Sequence, residues 1–83
     1  MKLVYSKQAV KFIDAQDKPT KERLKTAIEM LLLDPPRGDI KVLTNYTPTS
    51  YRLRVGKYRI KYYYEDENII AIDRIKSRGK IYK

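Results

Sequence analysis

Cysteine and histidine are both absent from the 83 residues. Without cysteine there is no disulfide framework and no thiolate metal site, as expected of a chain in a reducing cytoplasm. Without histidine the usual general base and the commonest metal ligand are missing. Any catalysis must fall to Lys, Arg, Tyr or carboxylates, and neither a transition metal nor another cofactor is expected. Long apolar runs are lacking too. The longest, Met30 to Leu33, is too short for a membrane span or for the core of a secretory signal. No repeat, low-complexity tract, linker or Gly-rich phosphate loop appears. Acids are the scarce charge: ten against nineteen Lys and Arg, for a net charge of +9.

What is present points to one small domain over residues 1–83, large enough to fold but only with a modest core. Its positive charge is uneven. Met1 to Ser50 holds nine cations and six acids; Tyr51 to Lys83 holds ten cations and four acids. A polyanion is the expected partner, nucleic acid being the commonest, although an acidic protein would satisfy the same field.

Apolar spacing gives the elements. Lys2 to Tyr5 reads as a strand. Ser6 is a candidate N-cap for a helix over Lys7 to Gln16, with Ala9, Val10, Phe12 and Ile13 on its apolar side. A second helix runs from Pro19 or Thr20 to Leu33, with Leu24, Ala27, Ile28, Leu31 and Leu32 as its stripe, and Pro35-Pro36 ends it. Arg37 to Ser50 reads as a loop with a short structured piece around Val42-Leu43. Three strands follow, over Tyr51 to Val55, Tyr58 to Tyr64 and Ile69 to Lys76. A helix pair followed by a run of strands predicts α+β, with an N-terminal strand and a two-helix hairpin packed on a small antiparallel sheet.

The stretch YRLRVGKYRIKY, Tyr51 to Tyr62, carries the chemistry. Gly56-Lys57 suits a two-residue type II′ turn. Pairing about that turn sets Val55 opposite Tyr58, Arg54 opposite Arg59, Leu53 opposite Ile60 and Arg52 opposite Lys61. Side chains alternate across a strand, so Tyr51, Leu53, Val55, Tyr58, Ile60 and Tyr62 share one face. Arg52, Arg54, Arg59 and Lys61 share the other, with no acid inside the hairpin. Like charges facing each other cost a sheet tenths of a kcal/mol to about 1 kcal/mol per pair. Two readings fit: a solvated face in which salt screens the repulsion, or a site for phosphates, which the arginine fork binds bidentately.

The tyrosines divide. Tyr5, Tyr51, Tyr58 and Tyr62 suit the core. Tyr63 has the parity of the cationic face, where it could stack a base. Tyr46 lies in the loop and nothing in the sequence decides its role. Asp73 and Arg74 interrupt an apolar strand, where a structural charge or local ion pair is the default. Tyr82 follows the basic segment Arg78-Gly79-Lys80, and by composition alone it reads as a tail anchor on the sheet.

Taken together, YRLRVGKYRIKYYYEDENIIAIDRIKSRGKIYK resembles the C-terminal half of RelE toxins of the RelE/ParE toxin–antitoxin superfamily. The opening KLVYSKQAVKFID and the helix up to Leu33-Asp34-Pro35 fit the same family, so the likeness spans the chain. The resemblance implies a RelE-like fold related to microbial ribonucleases. It implies a toxin that enters the ribosomal A site and cleaves mRNA by attack of the ribose 2′-OH on the adjacent phosphate. The family's catalytic set, basic residues and a C-terminal tyrosine, would fall on Arg52, Arg54, Arg59, Arg78 and Tyr82. Arg52 and Arg54 replace a lysine pair of some members. They keep the charge, but an arginine stays protonated and is a poor proton carrier. Lys57, Lys61, Lys76 and Lys80 would add electrostatic RNA contacts. The implied partners are the ribosome, mRNA and a cognate antitoxin wrapping an acidic or amphipathic segment around the toxin; no membrane is implied. Two other outcomes stand beside it: a ParE-type gyrase inhibitor on the same fold, and a noncatalytic RNA-binding domain.

Overall fold

The computed structural model describes residues 1–78. Strand β1 (Lys2–Tyr5) leads into helix α1 (Lys7–Asp14) and helix α2 (Lys18–Glu29), which tightens into a 3₁₀ turn over Met30–Leu32. Four strands follow: β2 (Asp39–Leu43), β3 (Ser50–Val55), β4 (Tyr58–Asp66) and β5 (Ile69–Ser77). The sheet order is β1-β5-β4-β3-β2. β1 lies parallel to β5, and every other pair is antiparallel.

Local chemistry explains the helix ends. The Ser6 hydroxyl accepts from the Ala9 N–H at 3.1 Å and donates to the Asp73 carbonyl at 2.7 Å, so one side chain caps α1 and pins it to β5. Asp17 caps α2 by accepting from the Thr20 N–H at 3.0 Å, and hydrogen bonding from the Thr20 side chain and N–H holds its carboxyl below the usual carboxylate range. Pro19 lies in the first turn, where its missing N–H costs nothing. No helix among the described residues is long and apolar enough to cross a membrane.

The core lies between the helices and one face of the sheet. Ala9, Ile13, Leu24, Ile28 and Leu31 meet Leu53, Ile60, Tyr62, Ile70, Ile72 and Ile75, all buried. α1 packs over β5 and α2 over β3. The hairpin pairs as expected, with Val55 opposite Tyr58, Arg54 opposite Arg59, Leu53 opposite Ile60 and Arg52 opposite Lys61. Gly56 takes φ +60° while Lys57 keeps a negative φ, the combination a type II′ turn requires.

The architecture is α+β as predicted, with two corrections. The segment expected as a loop contains a fifth strand, β2, paired with β3 along its length. The second helix stops at Glu29, and Leu32 is exposed rather than part of its buried stripe. The N-terminal strand joins the edge of the sheet, parallel to β5.

Candidate functional site

The sheet face away from the helices is shaped by one irregularity. Between β4 and β5 the register slips: Tyr62 pairs with Ile72, but Lys61 pairs with Arg74, leaving Asp73 as the extra residue. Side chains of a strand alternate, so one inserted residue reverses the phase. Ile72 and Ile75 can therefore both face the core. Arg74 and Lys76 are swung onto the face that already carries Lys61 and Arg59.

These residues line a pocket of about 400 Å³. Its walls are Arg52 of β3, Arg59 and Lys61 of β4, and Arg74 and Lys76 of β5, with Leu43 and Tyr46 from the β2 side. Five cations from three strands converge and no acid lines the space. Arg59, Arg74 and Lys76 form no salt bridge with any acid among the described residues. Their charge stays directed at the pocket.

The other cations are partly neutralised by acids from outside the hairpin, Asp39 of β2 and Asp73 of β5. Asp39, brought opposite Arg54 by the β2–β3 register, forms an ion pair with Arg54 at 2.8 Å and accepts a hydrogen bond from Arg52 at 3.2 Å. Arg54 does not line the pocket; it borders a second depression with Arg23 and Arg37 on the α2 side. Arg52 does line it, and its buried Nε finds no hydrogen-bond partner among the described residues. Lys61 is held by Asp73 at 3.1 Å and lies 4.0 Å from the Tyr46 ring centroid, a cation–π contact.

Lys57 lies elsewhere. Its ammonium sits 5.6 Å from the centroid of Tyr58, whose ring meets Phe12 edge-on over the core. Arg78 is tied beside it, donating its backbone N–H to the Lys57 carbonyl at 2.8 Å, and is exposed just beyond β5. Tyr82 and Lys80 lie outside the described residues.

Tyr63 falls between Ser50 and Ala71 in the ladders, both buried, and does not line the pocket. Tyr51, Tyr62 and Tyr64 cluster on the helix side, with Tyr51 and Tyr62 stacked at 5.4 Å. Burial pushes the hydroxyls of Tyr62, Tyr64 and Tyr5 above the ordinary tyrosine range; neighbouring tyrosines add to the first two and Glu29 to the third. Those groups stay neutral and serve packing.

Arg74 and Tyr46 are what residue-by-residue reasoning passed over. Strict alternation from Ile70 and Ile72 would bury Arg74; only the bulge turns it out. For Tyr46 the sequence carried no signal beyond an aromatic in a polar stretch.

The profile of a family described as the ParE toxin of type II toxin-antitoxin system, parDE, matches residues 3–82. The chain belongs to that family. It is thus a toxin of a type II system, in the RelE/ParE superfamily. Two solved structures are similar to this toxin over nearly its whole length. One is the archaeal RelE–RelB complex from Pyrococcus horikoshii OT3, at 28% identity and TM-score 0.72, with 94% of each chain covered. The other is the RelB–RelE antitoxin–toxin complex from Methanococcus jannaschii, at 27% identity and TM-score 0.74, covering 96% of this chain and 95% of that one. Among curated proteins, none matches.

Proposed function

We propose that this toxin is a ribosome-dependent mRNA endonuclease. The supporting observation is the acid-free pocket walled by Arg52, Arg59, Lys61, Arg74 and Lys76. Attack of a ribose 2′-OH on the adjacent phosphorus builds negative charge on the equatorial oxygens before the bond to the 5′-oxygen breaks. Fixed cationic donors stabilise that charge without reorganising, often the largest single catalytic contribution. Arg59 and Arg74, unpaired with acids among the described residues, are the primary donors in this scheme, and Arg52 supplies its Nε–H as well. Arginine cannot carry the proton. Tyr82 would take it from the 2′-OH as general base. Arg78 would face the 5′-oxygen, which leaves with a proton from solvent as the 2′,3′-cyclic phosphate forms. Arg54, engaged by Asp39, contributes to the field rather than to the grip, and Lys57 and Lys80 act at longer range with backbone phosphates. The ribosome would align the RNA and supply the rest of the binding energy.

The partner that restrains such a site is a cognate antitoxin. Both similar structures are RelE–RelB complexes, and the net charge of +9 suits an acidic or amphipathic wrapping segment. The family's ParE description supports a second reading, inhibition of DNA gyrase without RNA cleavage.

Primer extension on mRNA translated in a purified system separates the two. Wild type is expected to cut within ribosome-occupied codons. Arg59→Ala should lower cutting about a hundredfold, the scale of losing one oxyanion donor, and Tyr82→Phe should abolish it. Uncut mRNA together with blocked supercoiling by gyrase would reject the nuclease in favour of the ParE-type activity.

A further inference from the structure

Tyr46 is placed unlike any other tyrosine of the described residues. It stands in the β2–β3 connection, whose ends are closed by the pairing of Leu43 with Ser50. Asn45 before it takes φ +67°, the left-handed conformation that asparagine tolerates and that turns the chain sharply. The loop's far end is pinned by buried Ser50, whose hydroxyl donates to the Pro48 carbonyl at 3.2 Å. The connection thus holds the ring at the wall of the basic pocket.

Tyr46 is 49% exposed, yet its ring is not loose. The Lys61 ammonium is 4.0 Å from its centroid, and Asp73 grips that ammonium at 3.1 Å. A carboxylate, an ammonium and an aromatic ring form a column standing on the β5 bulge. Lys61 is therefore engaged as a prop for the ring, and the pocket's remaining cations are left to meet phosphate. An exposed aromatic face beside a phosphate-sized basic pocket has the form of a nucleotide site: charge for the backbone, a flat apolar surface for a base.

We infer that Tyr46 is a base-stacking residue that sets nucleotide preference at this pocket, favouring purines for their larger stacking surface. The inference rests on reading the pocket as an RNA site. Lys61 acts through the ring as a positioning residue, with Asp73 behind it.

The test is equilibrium binding of the full chain to three single-stranded probes of equal charge: oligo-adenosine, oligo-uridine and an abasic oligomer. All carry 2′-O-methyl groups, which cannot supply the attacking hydroxyl. Wild type should rank adenosine above uridine above abasic. Tyr46→Ala should weaken adenosine binding roughly five- to tenfold, the lower part of the range for loss of one stacked base at a half-exposed ring. It should leave abasic binding unchanged. Tyr46→Trp should restore the ranking. Equal binding of all three probes by wild type, equal losses on every probe in Tyr46→Ala, or no binding of any probe would overturn the inference. The translated-mRNA assay is separate. Probe discrimination without cleavage rejects the nuclease and keeps the stacking. Cleavage without discrimination rejects the stacking alone.

Discussion

Changing Asp39 to Asn should move stability and RNA affinity in opposite directions. The carboxylate forms an ion pair with Arg54 at 2.8 Å and accepts from Arg52 at 3.2 Å. Asp39 and Arg54 are about half exposed, at 47% and 49%, whereas Arg52 keeps only 20%. Solvent-exposed ion pairs contribute about 0–1 kcal/mol each, and the more sheltered Arg52 pair belongs at the upper end of that range. The carboxylate also relieves crowding between cross-strand neighbours, Arg54 with Arg59 and Arg52 with Lys41 and Lys61. Asparagine keeps the shape and loses the charge, so the cost should be roughly 1 kcal/mol at low salt, equivalent to about 4–8 °C in Tm for a domain of this size. High salt should shrink the loss. The same change frees Arg52 at the pocket and Arg54 beside it, and raises the net charge of +9 by one unit. Binding to single-stranded RNA should tighten, with a salt dependence steeper by about 0.7 for each arginine that gains a phosphate. Thermal melts at low and high salt, paired with fluorescence titrations of an RNA oligomer, measure both. A variant that loses stability yet binds RNA more weakly, or one unchanged in both at low salt, would refute the view that Asp39 restrains these arginines.

Two further outcomes follow from the packing. Gly38 has φ +139°, and a Cβ there would meet Leu53 Cδ1 at 2.6 Å. Since Leu53 is buried, Gly38→Ala should cost about 1–3 kcal/mol; an unchanged urea midpoint would show that β2 enters the sheet more freely than its geometry implies. In alkali, Tyr5, Tyr62 and Tyr64 ionise later in the folded chain than in the unfolded one. The unfolded state therefore loses protons first, and the stability these residues contribute should be intact below about pH 10 and fall as pH rises beyond it. Denaturant unfolding followed across that range, alongside phenolate absorbance, checks the sign; ionisation of all eight tyrosines near pH 10 with no loss of stability would contradict it.

The hairpin was legible because everything that builds it is local: a Gly-first turn, strict alternation and two short strands that fix each other's register. The cap of α1 was legible for the same reason, Ser6 lying within a turn of the Ala9 N–H it serves. β2 was not. Ile40 and Val42 are its only strongly apolar alternation, and Val42 is 52% exposed, because an edge strand needs little burial when its ladder to β3 supplies the hydrogen bonds. Missing β2 meant missing Asp39, and so the restraint on Arg52 and Arg54. The bulge at Asp73 was equally silent, since alternation carries no mark of where one residue is to be skipped, and Arg74 was lost with it. Of the site, the cations on β3 and β4 could be read from alternation. Lys76 of β5 was already among the expected RNA contacts, whereas Arg74 and Tyr46 required contacts between distant segments.

The parallel pairing of β1 with β5 ties the first strand to the last strand among the described residues. Lys2 aligns with Ile69 and Tyr5 with Ile72, and Gln8 exchanges two hydrogen bonds with the Ile75 backbone, at 2.8 and 2.9 Å. Closing so long a loop carries an entropic cost that local turns avoid, and contacts of this kind form late. During synthesis, the helices and the β3–β4 hairpin can emerge and begin to order while β1 waits without a partner. β5 then arrives with three assignments at once: to seat β1, to anchor α1, and to bring Arg74 and Lys76 to the pocket. Because β5 follows β3 and β4 in the chain, the basic pocket is complete only once β5 has joined the sheet.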